Sequence, residues 1–139
     1  MVGTGLRARH ASCSAMMAVT LARQQLGRMG EDLAAAELER RGYAITARRY
    51  RTRCGEIDIV ADCEGVLVFV EVKARADDEF GTAAEAVTPW KQRRLTRMAR
   101  DYLTREGILD RPCRFDVVTV MFDRAEPAIE VFVNAFDAC

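Results

Sequence analysis

In the stretch GEIDIVADCEGVLVFVEVKAR, residues 55–75, Glu56, Asp58, Glu71 and Lys73 stand where a sheet would not choose to bury charge. Carboxylates that converge from neighbouring strands supply oxygen ligands for a hard divalent cation. Mg²⁺ in particular is held by one or two carboxylates together with waters and substrate phosphate. Asp58 and Glu71 are the candidate ligands. A cation held there would acidify its water and stabilise charge on a phosphoryl oxygen. Lys73, beside the ligands, would orient the attacking water or neutralise the transition state. The competing reading makes Glu71 and Lys73 the polar edge of a half-solvated strand, since charged residues near strand ends are common.

Such a site needs two strands in a fixed register. Ile57, Ile59 and Ala61 alternate with Glu56, Asp58 and Val60, and an unbroken apolar run from Val66 to Val70 leads into Glu71-Val72-Lys73. Both halves read as strands. Asp62-Cys63-Glu64-Gly65 supplies the turn, Asp favouring its start and Gly its end. A four-residue loop puts Ala61 opposite Val66, Asp58 opposite Phe69 and Glu56 opposite Glu71. The four charged residues then share one side of the hairpin, with Asp58 and Glu71 diagonal neighbours roughly 7–8 Å apart. A three-residue loop would turn Asp58 to the other face.

The chain has 139 residues, half of them hydrophobic and 30% charged, which is the size of one ordinary domain. Its cysteines, at positions 13, 54, 63, 113 and 139, are odd in number and include no C-x-x-C pair, and there is one histidine. Neither a disulfide framework nor a thiolate zinc knuckle is suggested, and a reducing, cytoplasmic compartment is expected. No apolar run approaches the roughly 20 residues of a membrane-spanning helix. Net charge is zero, but residues 1–53 and 89–114 are arginine-rich while 54–88 and 115–139 are acidic. Basic flanks around an acidic centre suit a metal site within a phosphate-binding surface; solvated helix faces are the plainer account.

Residues 1–18 hold no acid and little periodicity. They are expected to be a disordered extension, an upstream start before Met16 or Met17, leaving a single domain over 19–139. A helix is expected from about Val19 to Arg41, with Leu26, Met29 and Leu33 as one apolar stripe, Gly27, Glu31, Ala34 and Leu38 as a second, and Gly42 as the stop. Glu31, among small neighbours, would reach the hairpin as a third ligand or an orienting group; a solvated glutamate is the alternative. Tyr43 to Tyr50 reads as β-prone and leads to Arg48, Arg49, Arg51 and Arg53, which are phosphate contacts or a charged edge. Ala76 to Val87 is a polar connection. Thr88 and Pro89 open a helix that Gly107 ends. Leu95, Met98, Ala99, Tyr102 and Leu103 form its buried stripe, and Arg93, Arg97 and Arg100 lie opposite. Lys91 and Gln92 would point toward Asp58, or Lys91 would simply snorkel at the helix end. Strands follow at Phe115–Phe122, where Asp116 reads as a polar strand-edge position, and at Ala128–Asn134. The order is α-β-β-β-α-β-β.

Asp58 followed by Glu71-Val72-Lys73 on the next strand resembles the PD-(D/E)XK nuclease superfamily. With G-x-x-G-E at 27–31, GEIDIVA, VFVEVKAR, Lys91-Gln92 and CRFDVV at 113–118, residues 24–136 are more closely similar to the YraN family, a bacterial group of predicted nucleases related to Holliday-junction resolvases. The resemblance implies an α/β, restriction-endonuclease-like fold, a mixed β-sheet flanked by helices. It implies an endonuclease that uses Mg²⁺ or Mn²⁺ on DNA, branched or structured DNA included, and a dimer if a two-fold junction is resolved. A non-cleaving nucleic-acid-binding or protein-interaction module on the same fold is the alternative. By position, Asp58 and Glu71 match the metal-binding acids, Lys73 the catalytic lysine, Glu31 the helix acid of resolvase-like members and Gln92 the polar residue on the helix after the motif. Ile57 stands where the superfamily name has proline. The backbone contacts would fall to Arg48, Arg49, Arg51, Arg53, Arg75 and Lys91.

Overall fold

A computed structural model describes the backbone of residues 4–76, 87–123 and 125–137, with side chains from residue 14 onward. Most of the connection expected after Ala76 lies outside these residues. Helix α1 (Thr4–Arg40) is followed by β1 (Ala44–Thr52), β2 (Gly55–Cys63), β3 (Val66–Arg75), α2 (Pro89–Arg105), β4 (Cys113–Met121) and β5 (Ala128–Phe136). The strands form one mixed sheet in the order β1-β2-β3-β4-β5. Only the β3–β4 pair is parallel, and α2 makes the crossover between its two strands. The expected α/β fold and element order are those observed.

Among the described residues, each face of the sheet carries one helix and one core. Ala34, Ala35 and Leu38 of α1 pack with Ile59, Ala61, Val68, Val70, Val118 and Val120. Leu95, Met98, Ala99 and Tyr102 of α2 pack on the other face with Val60, Leu67, Phe69, Phe115 and Val117. Strand β3 therefore buries both sets of its side chains, which is why Val66 to Val70 reads as an unbroken apolar run rather than an alternation. Beyond Val70 its alternation resumes: Val72 packs with the α1-side core, so Glu71 and Lys73 belong to the α2 side.

Three expectations change. α1 begins at Thr4, not near Val19, so much of the segment expected to be disordered has helical backbone. This stretch holds no proline, and its alanine, leucine, methionine and arginine residues favour a helix without tertiary support. Nor does the Leu26–Met29–Leu33 stripe seat the helix, because Met29 is exposed. The sheet meets Gly30, Glu31, Ala34, Ala35 and Leu38, and at Gly30 the approach is so close that a Cβ would lie 2.6 Å from that of Ala74. The β2–β3 loop has two residues, not four. Glu64 and Gly65 both take positive φ, 52° and 85°, as a two-residue hairpin turn matched to strand twist requires, and Cys63 pairs with Val66.

Asp116 is also not at a strand edge. It is fully buried in β4, accepting from the Tyr43 hydroxyl at 2.8 Å, the Arg114 Nε at 3.0 Å and the Asn134 amide at 2.9 Å. The α2 signals read as expected. Thr88 caps the helix by accepting from the Lys91 amide, with Pro89 in the first turn.

Candidate functional site

The β2–β3 ladder ends at Ile59 and Val70. Past that point β2 stays paired with β1 out to Gly55, while β3 stays paired with β4 out to Arg75. The sheet consequently splits. One step beyond the last pair, Asp58 and Glu71 face each other across the opening. The two-residue turn moved the register by two positions from that of a four-residue loop, and an even shift leaves every side chain on its original face.

Asp58 sits at the apex of the split, where its Oδ2 accepts the Val72 amide at 2.8 Å and so satisfies a donor that the ended ladder leaves open. The alternation of β2 breaks here: Ile57 joins the α2-side core and Ile59 the α1-side core, although residues two apart normally share a face. On the neighbouring strand Arg49 has φ of 52°, a left-handed conformation uncommon outside glycine. Asp58 accordingly opens to both sides. On the α2 side it lines a cavity of about 260 Å³ with Glu56, Glu71, Lys73, Lys91 and Arg94. On the α1 side it lines one of about 460 Å³ with Glu31, Arg28, Arg49 and Arg51.

Burial pushes the Asp58 carboxyl up to about 7, helped next by the charge of Glu71 and then of Glu31, against the opposing Val72 amide and Lys73. Lys73 Nζ lies 3.2 Å from Glu71 Oε1, with both side chains more than four-fifths buried. Lys91 is held below the ordinary lysine range, chiefly by its contact with Lys73 and then by burial. The α2-side chamber thus sets Glu56, Asp58 and Glu71 against the ammonium groups of Lys73 and Lys91 and the Arg94 guanidinium.

Glu31 is buried on the α1 side, placed there by the tight seat of Gly30 on Ala74. Arg48 Nη2 reaches its Oε1 at 3.1 Å and Arg49 Nε its Oε2 at 3.1 Å, and Arg48 also pairs with Asp32 at 2.5 Å. Arg51 is almost fully exposed, 3.6 Å from Glu56, and Arg53 is exposed in the β1–β2 turn. Arg75 is half-buried and close enough to Lys91 to depress its pKa. Gln92 is not brought to this cavity. Its amide donates to the Val87 carbonyl at 3.0 Å, and it lines a different cleft with Arg93 and Arg97, because one step along α2 from Lys91 turns a side chain by about 100°.

Two charged lining residues escaped the sequence reading. Arg94 is three positions from Lys91 and Arg28 three from Glu31, so helical spacing from the acid and the lysine would have found both. Among the described residues no group of three His, Cys, Asp or Glu side chains gathers to hold a metal ion. What the split offers is an oxygen pair, Asp58 and Glu71, of the kind that holds a hard cation whose remaining positions are water and phosphate. The raised pKa of Asp58 marks a carboxyl that burial first, and the charge of Glu71 second, disfavours in its ionised form.

Residues 30–120 match the model of the uncharacterised protein family UPF0102. A UPF0102 protein of Geobacter sulfurreducens is 50% identical over 113 residues, 81% of this chain and 88% of its own length. One from Symbiobacterium thermophilum is 55% identical over 97 residues, 70% and 82% of the two chains. One from Pelotomaculum thermopropionicum is 47% identical over 117 residues, 83% and 98%.

Proposed function

The chain belongs to the UPF0102 family, and from the chemistry of its split sheet we propose that it is a divalent-metal-dependent endonuclease hydrolysing phosphodiester bonds of DNA, branched or structured DNA included. The observation that carries this reading is the meeting of Asp58 and Glu71 across the opening, with Lys73 against Glu71. The resemblance of the same residues to the PD-(D/E)XK pattern adds to it.

Asp58 and Glu71 would hold Mg²⁺ or Mn²⁺, which would supply an acidified water and a counter-charge for the phosphoryl oxygen. Asp58 is fixed by the Val72 amide and Glu71 by Lys73, and both carboxylates line the same cavity. Lys73 places its ammonium where negative charge develops on the phosphorane, and Lys91 adds a second in the same chamber. Glu31 orients the surroundings from the α1 side by holding Arg48 and Arg49 beside the Asp58 cavity. With Arg51, Arg53 and Arg75 these cations hold the backbone without reading sequence. Cutting both strands of a two-fold junction calls for a second copy of the chain. No described helix is long and apolar enough to cross a membrane.

The test is cleavage of labelled linear, flapped and four-way-junction DNA in Mn²⁺ by the protein and by its Asp58→Ala and Lys73→Ala variants. Loss of at least about 100-fold in both variants is expected, the scale on which preorganised charge acts in catalysis. Equal cleavage by all three preparations points to a contaminant and sinks the assignment. Binding without cleavage by folded, metal-loaded protein gives the fold to a non-cleaving module.

A further inference from the structure

Trp90 is the only tryptophan of the chain, and 59% of its surface is open to solvent. It takes no part in the core, which α2 reaches through Leu95, Met98, Ala99 and Tyr102. An indole left in water is opposed by the hydrophobic effect, and such residues are enriched where a partner will cover them. One turn along α2, the Arg94 guanidinium lies 5.6 Å from the Trp90 ring centroid. Arg94 is itself anchored: its Nε donates to the Cys54 carbonyl at 2.8 Å, and it packs so closely on Gly55 that any Cβ there would collide with it.

Between this pair and Arg93 and Arg97 opens a cleft of about 370 Å³, completed by Cys54. Among the described residues no carboxylate lines it, and Arg93, Arg97 and Arg100 have no ion-pair partner. Three guanidinium groups around an indole suit a ligand that is anionic and flat at once, which is the chemistry of a nucleotide. Arg94 also lines the cavity of Asp58, Glu71 and Lys73. The cleft and the candidate active site therefore share a wall, and the successive residues Trp90 and Lys91 serve one chamber each.

We propose that the Trp90 cleft receives an unpaired base of a nucleic-acid strand whose neighbouring phosphodiester lies at Asp58 and Glu71. The proposal rests on the nuclease reading and names its substrate class: a strand with an unstacked base next to the bond to be cut, as in a single strand, a flap or a junction arm. A blunt duplex keeps its bases stacked inside and does not fill the cleft. Stacking on an aromatic face is indifferent to base identity, so the cleft selects strand state and not sequence.

Because Trp90 is the sole indole, its fluorescence reports on this cleft alone. The titration is made with the Asp58→Ala protein in chelator, so no cleavage enters, using a thymidine dodecamer, a blunt duplex of the same length, adenosine monophosphate and inorganic phosphate. Saturable quenching by the single strand, at least tenfold tighter than by the duplex, is expected. By polarisation of a labelled strand, Trp90→Ala should bind roughly tenfold more weakly and Trp90→Phe close to the parent, with both variants melting as the parent does. Equal quenching by duplex, by mononucleotide or by phosphate alone overturns the proposal, as does unchanged strand affinity in Trp90→Ala. The two readings fail separately: strand-dependent quenching by a protein that never cleaves removes the nuclease and keeps the cleft, whereas cleavage with no dependence on Trp90 does the reverse.

Discussion

At Asp58 one carboxyl is asked to be charged in a place that disfavours charge. Burial raises its pKa from the ordinary aspartate value of 3.8 to about 7, so the folded protein binds its proton more tightly than the unfolded chain does. The stability this contributes is fully present below about pH 4 and is lost as pH rises through about 7. In chelator the protein should therefore lose on the order of 2–4 kcal/mol between pH 4 and 8 from this group, read by urea unfolding at several pH values. Asp58→Asn, which still accepts the Val72 amide, should flatten that slope and be the more stable protein at pH 8; a slope unchanged by the substitution would remove the electrostatic argument. Added Mn²⁺ should stabilise the parent at pH 8 and not the Asn variant, since the cation takes the place of the proton. The residue types at this site were legible in the sequence because a buried strand rarely carries Glu, Asp and Lys without cause. What could not be read was the engagement of Glu31 by Arg48 and Arg49, which depends on β1 passing over α1 and not on any spacing along the chain.

At the scale of the element, periodicity decided what was legible. The hairpin face was fixed by the alternation of β2, and it survived an error in the loop because that error was two residues. Loop length itself was hidden, since Glu64 adopts a left-handed φ that its side chain does not advertise and Asp62 drew attention as the start of a longer turn. The seat of α1 was legible in part: the second stripe named Glu31, Ala34 and Leu38, all buried against the sheet, whereas Gly30, the point of closest approach, carries no side chain to mark it. Gly30 therefore offers a test. Its missing Cβ would lie 2.6 Å from the Ala74 Cβ, and both atoms belong to backbone-fixed positions in a helix and a sheet. Gly30→Ala should destabilise by about 1–3 kcal/mol as overpacking does, despite the better helix propensity of alanine. Pairing it with Ala74→Gly should recover part of that loss in a double-mutant cycle. Strict additivity of the two would mean that helix and strand do not meet there.

Across the whole molecule Asp58 and Asp116 both sit within the sheet, and their opposite surroundings separate scaffold from chemistry. Asp116 is wholly buried but met by the Tyr43 hydroxyl, the Arg114 guanidinium and the Asn134 amide. These donors tie β4 to β5 and to Tyr43 beyond the end of α1, and burial, then the bond to Asp116, push the Tyr43 hydroxyl up to about 12 against the opposing Arg114 guanidinium. Asp58 is less buried yet has one amide and two acidic neighbours bearing on it. In the sequence the two look alike, an acid within an apolar strand, and only tertiary contacts distinguish them. Their substitutions should differ in sign. Asp116→Ala leaves a guanidinium, a hydroxyl and an amide without their acceptor and should cost about 3–5 kcal/mol, lowering the melting temperature steeply while the variant, where folded, keeps its response to Mn²⁺. Asp58→Ala in chelator at pH 8 should cost little or stabilise, and should abolish that response. A molecule in which both aspartates behaved as Asp116 does would be built around two structural networks, and the opening between β2 and β3 would then be a feature of its fold and not of its chemistry.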